Sequence, residues 1–412
     1  MATPSSDAAL PRSDLRFGEF VAIIALMMAL TALSIDIMLV ALPDIAATFA
    51  LADPNDRQLV ITAYLLGFAA GQPLCGPLSD RFGRKPVVAA GIAIFALGVV
   101  LAIIAPTFAT MLWARALMGL GAAAPRIMAV SIVRDRFAGR GMARVMSFAM
   151  MIFIIVPIVA PFIGAAVLAL GPWQWIFGTL LAVGGLLAGW TALRLPETLT
   201  PEHRRSLSPG PLAEAALTVV RSRPTVGYTV GMGFLFGSLM TYIGSAQQVF
   251  MEVYGLTTES FPVVFGIVAS VMAVASLLNT RLVVRLGMRR LSHAALIGYV
   301  AAGLLMAVVG LGGEPPSLTV LVVLLMASFF CFGLIAPNFG ALSMEPLGHI
   351  AGMGSSLTGF YTTAAGAGLG WLAGQAYDGT VRPLVIAFTV YGLAALVCVL
   401  VTERGRLLHA SH

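Results

Sequence analysis

Twelve apolar windows, each long enough to cross a lipid bilayer as a helix, follow one another along the chain. A spanning helix needs roughly 20 mostly apolar residues, and the polar positions gather in the segments between the windows. The windows lie at about 18–42, 58–79, 86–105, 107–131, 145–169, 173–193, 224–248, 260–283, 291–311, 317–340, 353–376 and 382–402. This pattern predicts an all-α integral membrane protein with twelve transmembrane helices.

One long polar connection, rich in proline and arginine, separates the sixth window from the seventh. It covers 194–223 and divides the spans into two sets of six. We therefore expect an N-terminal half over 1–193, a linker, and a C-terminal half over 224–412.

The composition requires lipid as the solvent for most of the chain. Of the 412 residues, 59% are hydrophobic and 10% are charged, whereas a soluble domain carries about a quarter charged residues. A water-soluble fold could not bury so much apolar surface. The three cysteines stand far apart in apolar segments, without the CxxC spacing of a zinc site. We expect no disulfide framework, no metal site and no cofactor.

Positive charge is concentrated on one side of the predicted membrane. If the N-terminus is cytoplasmic, twenty of the 24 Lys and Arg residues fall in cytoplasmic segments, and only Arg57 and Arg382 fall in the opposite loops. The positive-inside rule then places both termini and the linker in the cytoplasm. The net charge of +6 reflects this orientation, because the basic residues are not gathered into a nucleic-acid-binding face. The first window is too long for the apolar core of a cleavable signal peptide, so we expect it to remain as a span.

Two basic loops at corresponding places in the halves resemble each other. The segment from Asp80 to Lys85 (DRFGRK) follows the second window, and the segment from Val284 to Arg289 (VRLGMR) follows the eighth. Parallel repeats in a transporter predict such recurrence, although two basic loops can also agree by chance.

The first of these loops resembles a motif of the major facilitator superfamily. The segment from Gly76 to Lys85 (GPLSDRFGRK) agrees with the pattern G-x-L-x-D-R-x-G-R-K at every specified position. Arg115, four residues before Gly119, is similar to the R-x-x-x-G motif of proton-coupled members. The segments 34–43 and 351–357 resemble the bicyclomycin/chloramphenicol-resistance (Bcr/CflA) branch of drug:proton antiporters.

A run in the fifth window is similar to the antiporter motif G-P-x-x-G-G of the same superfamily. It contains Pro157, Pro161 and Gly164, but alanine stands at two of the glycine positions. The departure weakens the indication of antiport without removing it.

The resemblance covers about 18–402 and implies the major facilitator fold. That fold has two six-helix bundles around a central cavity that opens alternately to each side. It implies a multi-pass protein of the bacterial cytoplasmic membrane that works as a monomer on protons and a small-molecule substrate. The Asp80 loop would latch the cytoplasmic side when the cavity faces outward. Asp80 would cap a neighbouring helix N-terminus, while Arg81 and Arg84 would pair with carboxylates such as Asp135.

Charges within the windows are few, and each is costly in hydrocarbon, by at least about 2.5–3.5 kcal/mol. Asp36 is the one carboxylate well inside a window, which makes it the candidate proton carrier. Arg115 lies at a similar depth, so the two can meet and the arginine could switch the proton affinity of Asp36. The alternative is a purely structural Asp36–Arg115 pair.

Arg126 lies eleven residues after Arg115, which is three helical turns with about 20° of drift. Both arginines should therefore point the same way, toward the cavity. We interpret Arg126 as a possible anchor for an anionic or zwitterionic substrate. Snorkelling to the cytoplasmic surface and an unidentified partner on another helix are the alternatives.

Further cavity candidates are aromatic and amide side chains, although aromatic stripes more often serve packing. In the second window Tyr64, Phe68 and Gln72 share one helix face. In the C-terminal half the candidates are Phe234, Tyr242, Gln247 and Asn338. Gly366, Gly370 and Gly374 form a GxxxGxxxG face that favours close helix approach.

The sequence therefore predicts a proton-coupled exporter of small amphipathic compounds, such as antibiotics, and no enzyme. A carrier for one specific metabolite, anionic or zwitterionic, is the alternative that would share this fold, and fold alone does not decide function. A non-transporting membrane enzyme or receptor is the remote alternative, without a catalytic motif to support it.

Overall fold

The computed structural model describes residues 15–137, 139–199 and 209–408, and within these ranges all regular secondary structure is helical. The helices are α1 Phe17–Asp36, α2 Leu42–Thr48, α3 Leu59–Phe82, α4 Arg84–Ile103, α5 Phe108–Arg136, α6 Gly139–Leu170, α7 Gln174–Arg194, α8 Pro209–Arg221, α9 Arg223–Gln247, α10 Phe261–Leu286, α11 Met288–Gly310, α12 Leu318–Met344, α13 Ala351–Gln375 and α14 Arg382–Thr402. The sequence segments predicted to span the membrane are therefore helical.

Eleven helical segments of the described chain are long and apolar enough to cross a membrane. The remaining predicted span corresponds to α13, a helix of 25 residues. Glycine, serine and threonine lower its hydropathy, but its length suits a bilayer core of about 30 Å at 1.5 Å per residue. The protein is an all-α integral membrane protein.

The first predicted span is interrupted directly after Asp36. There α1 ends, a 3₁₀ turn covers Leu39–Ala41, and α2 continues the segment. The seventh span changes pitch in a similar way, because α9 passes into a π-helical turn over Gln248–Val253. Both irregularities lie at the same end of the molecule, which we call the Arg57 end; the opposite end is the Arg84 end.

Local sequence explains where several helices begin. The hydroxyl of Thr107 accepts a hydrogen bond from the Thr110 amide at 3.2 Å and caps α5. Proline stands in the first turn of α9, α10 and α14, where its missing amide proton costs nothing.

The surface of the helix assembly is apolar where lipid would surround it. Leu193 and Val284 are each 84% exposed, and Trp113 is 78% exposed. Such side chains would be unfavourable in water, and their exposure fits a protein whose solvent is lipid. Within the assembly, α3 packs against α5 and α13, while α6 packs against α1 and α10. The α3–α13 and α6–α10 contacts join the two halves of the chain.

The glycine face of α13 packs as the sequence predicted. A β-carbon added at Gly366 would lie 2.3 Å from the Phe236 ring, and one at Gly370 would lie 2.6 Å from Cβ of Met240. Both neighbours are on α9. The glycines therefore allow α13 to approach α9 closely.

Candidate functional site

A cavity of about 1410 Å³ lies between the two halves. At its inner end it reaches Asp36 on α1 and Tyr242 on α9, and from there it extends to the loops of the Arg84 end. Asp80, Arg84 and Arg134 line that outer part from one half, and Ile350 to Leu357 line it from the other. The cavity thus has its mouth at the Arg84 end.

The Arg57 end is closed by hydrogen bonds between the halves. We call this cluster the Arg57 gate; it consists of Asn55, Arg57, Gln58, Gln248, Glu252, Gln375 and Tyr377 together with the carbonyl of Gly374. Arg57 forms an ion pair with Glu252. The Asn55 side-chain amide donates to the Tyr377 carbonyl at 2.9 Å and accepts from Gln248 Nε2 at 2.8 Å. All of these contacts join residues from opposite halves, except the one between Tyr377 and Glu252, which lies within the second half.

Tyr377 adds a hydroxyl to the gate. Burial and the nearby Glu252 carboxylate raise the pKa of Tyr377 above its usual value. The hydroxyl therefore keeps its proton, and it donates toward the Gln248 carbonyl and the Glu252 carboxylate at 3.3 Å each.

The two walls of the cavity differ in chemistry. All of its charged lining residues, namely Asp36, Asp80, Arg84, Arg126 and Arg134, come from the first half. The second half contributes mainly aromatic, aliphatic and thioether side chains, including Met232, Phe236, Met240, Phe265, Met272, Phe329 and Phe332. A molecule that fills the cavity would meet a polar wall on one side and an apolar wall on the other.

Asp36 lies at the inner end of this cavity, where α1 stops. Its residue is 3% exposed, and its Oδ1 atom has no hydrogen-bond partner. A β-carbon added at Gly164 of α6 would lie 2.5 Å from the carbonyl oxygen of Ile37, so α6 passes close behind the chain that follows Asp36. The carboxyl is thus held in a dry, closely packed position beside the cavity.

The expected pair between Asp36 and Arg115 does not form in this structure. Arg115 is fully buried, and it donates from Nε to the Val60 carbonyl at 3.0 Å and from Nη2 to the Ser34 carbonyl at 3.1 Å. Its guanidinium also lies over the Tyr64 ring, 4.7 Å from the centroid. Backbone carbonyls and an aromatic face, rather than a carboxylate, therefore stabilise the buried charge.

At the Arg84 end, Arg84 connects several helices of the first half. It lies 2.7 Å from Asp80 on α3 and 3.0 Å from Asp135 on α5, and its Nη1 also donates to Ser79. Arg81, by contrast, is exposed and lies over the ring of its neighbour Phe82. The expected pairing with Asp135 is thus formed by Arg84.

The helix cap predicted for Asp80 is supplied by another residue. Glu197, just after α7, accepts hydrogen bonds from the backbone amides of Arg84 and Lys85 at 2.9 and 3.1 Å, at the start of α4. Asp80 is engaged by the Arg84 side chain. Residue spacing does not indicate this role of Glu197, because Glu197 lies more than a hundred residues from the helix that it caps.

The second half has a related arrangement, although Val284 stands where the first half has Asp80. Arg289 lies 3.1 Å from Glu345 and 3.3 Å from Glu403. The glycines before the two arginine-bearing helices, Gly83 and Gly287, both adopt positive φ, at 103° and 78°. The structure confirms the repeat that the two basic loops indicated.

Comparison with known proteins places the whole arrangement in a family. The model of the Major Facilitator Superfamily matches residues 24–374. The chain belongs to the major facilitator superfamily. It is a transporter of this superfamily with the fold of two helical halves around a central cavity.

Three relatives illustrate the branch to which this facilitator is similar. An uncharacterized MFS-type transporter, YdgK of Bacillus subtilis, is 32% identical over 79% of this chain and 81% of its own length. A bicyclomycin resistance protein homolog of Haemophilus influenzae is 29% identical over 81% of this chain and 83% of its own. The multidrug resistance protein MdtL of Escherichia coli O45:K1 is 28% identical over 90% of this chain and 92% of its own length.

Solved structures share the facilitator fold. The human organic anion transporter MFSD10 has a TM-score of 0.69 at 18% identity, covering 94% of this chain and 100% of that one. A D-xylose-proton symporter has a TM-score of 0.70 at 14% identity, and the match covers 93% of this chain and 97% of that one. At these identities the likeness concerns the fold alone.

Within this facilitator's first half, the sequence candidates divide between the cavity and the packed interior. The cavity candidates Phe68, Gln72 and Arg126 line the cavity, and so does Pro157 of the antiporter-like motif. Tyr64 does not line it, because its ring is covered by Arg115. Arg115 does not line it either, because α1 and α3 cover α5 at that level. The helical phase that Arg115 shares with Arg126 therefore does not bring both to the cavity.

Pro161 and Gly164 of α6 face the packed interior rather than the cavity. Both residues are buried, and Gly164 meets the chain just after Asp36. Of the three residues taken from the antiporter motif, only Pro157 lines the cavity.

In the second half, only Tyr242 of the four candidates lines the cavity. Phe234 packs toward the Tyr391 ring, with 6.3 Å between centroids. Gln247 points to the sulfur of Met251, and Asn338 donates to Asn279 at 2.6 Å. The cavity-lining Phe265, Phe329 and Phe332 were missed, because an aromatic residue in an apolar window has the same sequence pattern whether it faces a cavity or a neighbouring helix.

Proposed function

We propose that this transporter exports small amphipathic molecules in exchange for protons, by alternating access of one central cavity. The observation that carries the proposal is the buried Asp36 carboxyl at the closed end of a cavity that is open at the other end. A carboxyl in this position can bind a proton from one side and lose it to the other when access changes. The bicyclomycin and multidrug resistance names of two relatives support efflux as the direction and amphipathic compounds as the substrates.

The proposed orientation follows the positive-inside rule. The Arg84 end, with its basic loops and both chain termini, would face the cytoplasm of a bacterium, and the cavity would be open to that side. The Arg57 gate would then close the outer side. Transport would require the first half, 1–193, and the second, 224–412, to rock about the cavity, with 194–223 as the connection between them and one chain as the working unit.

A test uses inverted membrane vesicles that contain the protein and an imposed pH gradient, acid inside. We expect bicyclomycin or a fluorescent amphipathic dye to accumulate in the vesicles and the accumulated compound to leave when a protonophore collapses the gradient. Vesicles with equal amounts of the Asp36→Asn variant are the control. Uptake that is indifferent to the gradient would contradict proton coupling.

A carrier for one anionic or zwitterionic metabolite is the second candidate. It is favoured by Arg126, a guanidinium that lines the middle of the cavity wall. The same vesicles distinguish the two, since a metabolite carrier would accept one compound class and leave the dyes outside.

A further inference from the structure

The last described residues of the chain lie against α11 at the Arg84 end. Gly405, shortly after α14, adopts a positive φ of 76°, a common way to end a helix and redirect the chain. The Leu408 amide then donates to Nδ1 of His293 at 3.4 Å, and the Leu408 carbonyl accepts from Nε of Arg290 at 3.1 Å. We call residues 404–408 the C-terminal segment, and its contacts with α11 hold it docked.

The hydrogen bonds of His293 determine which of its ring nitrogens carries the proton. The residue is 1% exposed, and its ring lies parallel to the Tyr228 ring. The Tyr228 hydroxyl donates to Oε1 of Glu403 at 2.6 Å. A hydroxyl has one proton to donate, so Nε2 of His293, 3.1 Å from that hydroxyl, is the donor in the contact between them. In the neutral ring Nδ1 is therefore the acceptor for the Leu408 amide.

Charged groups from the surrounding elements act on this ring in opposite directions. Burial disfavours the charged form of the ring, Glu403 at the end of α14 favours it, and Arg289 on α11 disfavours it. Arg289 lies 3.3 Å from Glu403 and 3.1 Å from Glu345, which follows α12. Because these charges are paired with one another, the Leu408 amide is the contact that distinguishes the two protonation states of the ring.

A second proton on the ring is incompatible with the docked C-terminal segment. Both nitrogens of a charged histidine are donors, so an N–H group at Nδ1 would face the N–H group of Leu408. The docked form thus binds one proton fewer than the released form. Docking is favoured as the pH rises and is lost as the pH falls. Histidine ordinarily changes its charge between pH 5 and 8.

We propose that His293 is a proton-sensitive latch for the C-terminal segment. It holds residues 404–408 on α11 at neutral pH and releases them when the Arg84 end becomes acidic. The latch is separate from the transport cycle proposed above, since His293, Tyr228 and Leu408 do not line the cavity. If the Arg84 end faces the cytoplasm, the latch responds to cytoplasmic pH.

The test follows the mobility of a spin label by electron paramagnetic resonance between pH 8 and pH 5. The label is attached at Arg406→Cys, an exposed position in the segment, in the full-length protein in lipid nanodiscs. Cys75, Cys331 and Cys398 are replaced beforehand. The label should be immobile at pH 8 and mobile at pH 5, and the ratio of docked to released forms should change up to about tenfold per pH unit, the limit for one proton. A label at Arg285→Cys, exposed on α10 at the same end, should not respond.

Two variants separate His293 from other sources of pH dependence. His293→Gln keeps a donor and an acceptor but cannot take up a proton, so its segment should stay immobile at both pH values. The double variant His409→Gln with His412→Gln removes the histidines that follow the segment and should keep the wild-type transition. A wild-type label that is mobile at pH 8 or immobile at pH 5 would overturn the latch, as would a transition that persists in His293→Gln or disappears in the double variant.

A direct titration of the His293 ring covers the case in which His293→Gln does not dock the segment at all. The ring signal is followed by nuclear magnetic resonance in otherwise wild-type protein with labelled histidine, and it is identified by its absence in His293→Gln. Its midpoint should coincide with the midpoint of segment release. Separate midpoints would show that another group controls release. Neither measurement needs a transported compound, so the result does not depend on the proposed function.

Discussion

Asp36 is the last residue of α1, directly before the stretch where the first span departs from a regular α-helix. The break after α1 frees the chain from helical geometry just where the buried carboxyl meets the cavity. Irregular backbone at membrane depth is tolerated only inside protein or beside a cavity. The position thus combines low polarity with access from one side, which is what a side chain needs to bind and release protons.

Asp36→Asn should abolish proton-driven accumulation while the protein remains folded, because an amide of the same shape cannot carry a proton. One proton moving down about 100 mV supplies about 2.3 kcal/mol, and one pH unit adds about 1.4 kcal/mol. Together they can sustain roughly a 500-fold gradient in one-for-one exchange of a neutral substrate. Uptake into inverted vesicles under a pH gradient measures the effect. Full accumulation by the variant would remove Asp36 from the coupling mechanism.

Arg126→Ala should weaken binding of an anionic or zwitterionic substrate by about 1.5–3 kcal/mol, the range for hydrogen bonds to charged groups. A neutral analogue should lose far less, because it does not need the guanidinium that lines the cavity. Arg126→Lys should recover only part of the loss, since the bidentate fork is missing. Titration calorimetry with the charged substrate and its neutral analogue measures the loss of binding free energy in each variant. Arg81→Ala, at an exposed arginine outside the cavity, is the control, and equal losses for both ligands would indicate a structural arginine.

Cavity positions could be predicted from charges inside apolar windows, as for Asp36 and Arg126, which both line the cavity. Residue roles could not be predicted where the stabilising partner has no sequence signal. Arg115 is bound by the backbone carbonyls of Val60 and Ser34, and every residue carries such a carbonyl. Glu197 contacts the start of α4 from a distant segment of the chain. Such contacts depend on the tertiary approach of helices, which residue spacing does not encode.

Among the predicted spans, α13 combines a low hydropathy with some of the closest packing. Its glycine face lies against α9, and Gly374 also approaches Gln58 of the Arg57 gate. Close backbone contact replaces large side chains as the source of its packing energy, as in other membrane helix pairs. This helix therefore connects the apolar wall of the cavity to the gate.

Gly370→Ala should destabilise the protein or slow transport, because the added β-carbon would lie 2.6 Å from Met240 Cβ and 3.0 Å from its backbone carbonyl carbon. Gly368→Ala on the same helix meets nothing within 4 Å. That control should be neutral or gain up to about 1 kcal/mol in helix propensity. Thermal unfolding in detergent, followed by tryptophan fluorescence, compares the two variants. Indistinguishable melting temperatures and transport rates would show that the α9–α13 contact tolerates a methyl group.

Most elements were predictable from the sequence, because apolar windows and spanning helices have the same length. The details that shape the site were not. The π turn over Gln248–Val253 contains no proline or glycine. In the first span only Pro43, in the first turn of α2, marks the helix that resumes after the break behind Asp36. Both arise where the halves meet, so they depend on contacts that form only in the folded assembly.

For the whole molecule, the Arg57 gate is the principal set of polar contacts described between the halves at the closed end. Within the described chain, the ion pairs of the Arg84 end, Arg84 with Asp80 and Asp135 and Arg289 with Glu345 and Glu403, each lie inside one half. The structure is therefore held closed at one end, and its ionic clusters at the other end stabilise each half separately. Under the proposed alternating access, opening of this end requires the Arg57 gate to break, whereas the ionic clusters of the Arg84 end can stay intact.

Glu252→Gln should shift the population toward forms that are open at the Arg57 end. A partly exposed ion pair contributes at most about 1 kcal/mol, so the ratio of open to closed forms should rise up to about fivefold. The charge-swapped pair Arg57→Glu with Glu252→Arg should restore much of the closure. Labelling of a cysteine placed at Thr62, in a background without Cys75, Cys331 and Cys398, reports the opening. Equal labelling rates in the parent protein, the Glu252→Gln variant and the charge-swapped variant would show that the amide hydrogen bonds of the Arg57 gate close this end without the ion pair.

The amide composition of the Arg57 gate also determines how the protein would respond to ionic strength. Asn55, Gln58, Gln248 and Gln375 are neutral, and mobile ions screen charges but hardly affect bonds between neutral amides. Only the Arg57–Glu252 pair is open to such screening. If this end faces the medium around a bacterium, dilution or concentration of that medium would leave most of the closure energy unchanged. The closed end would then prevent leakage of solutes through the protein at low and at high salt concentration alike.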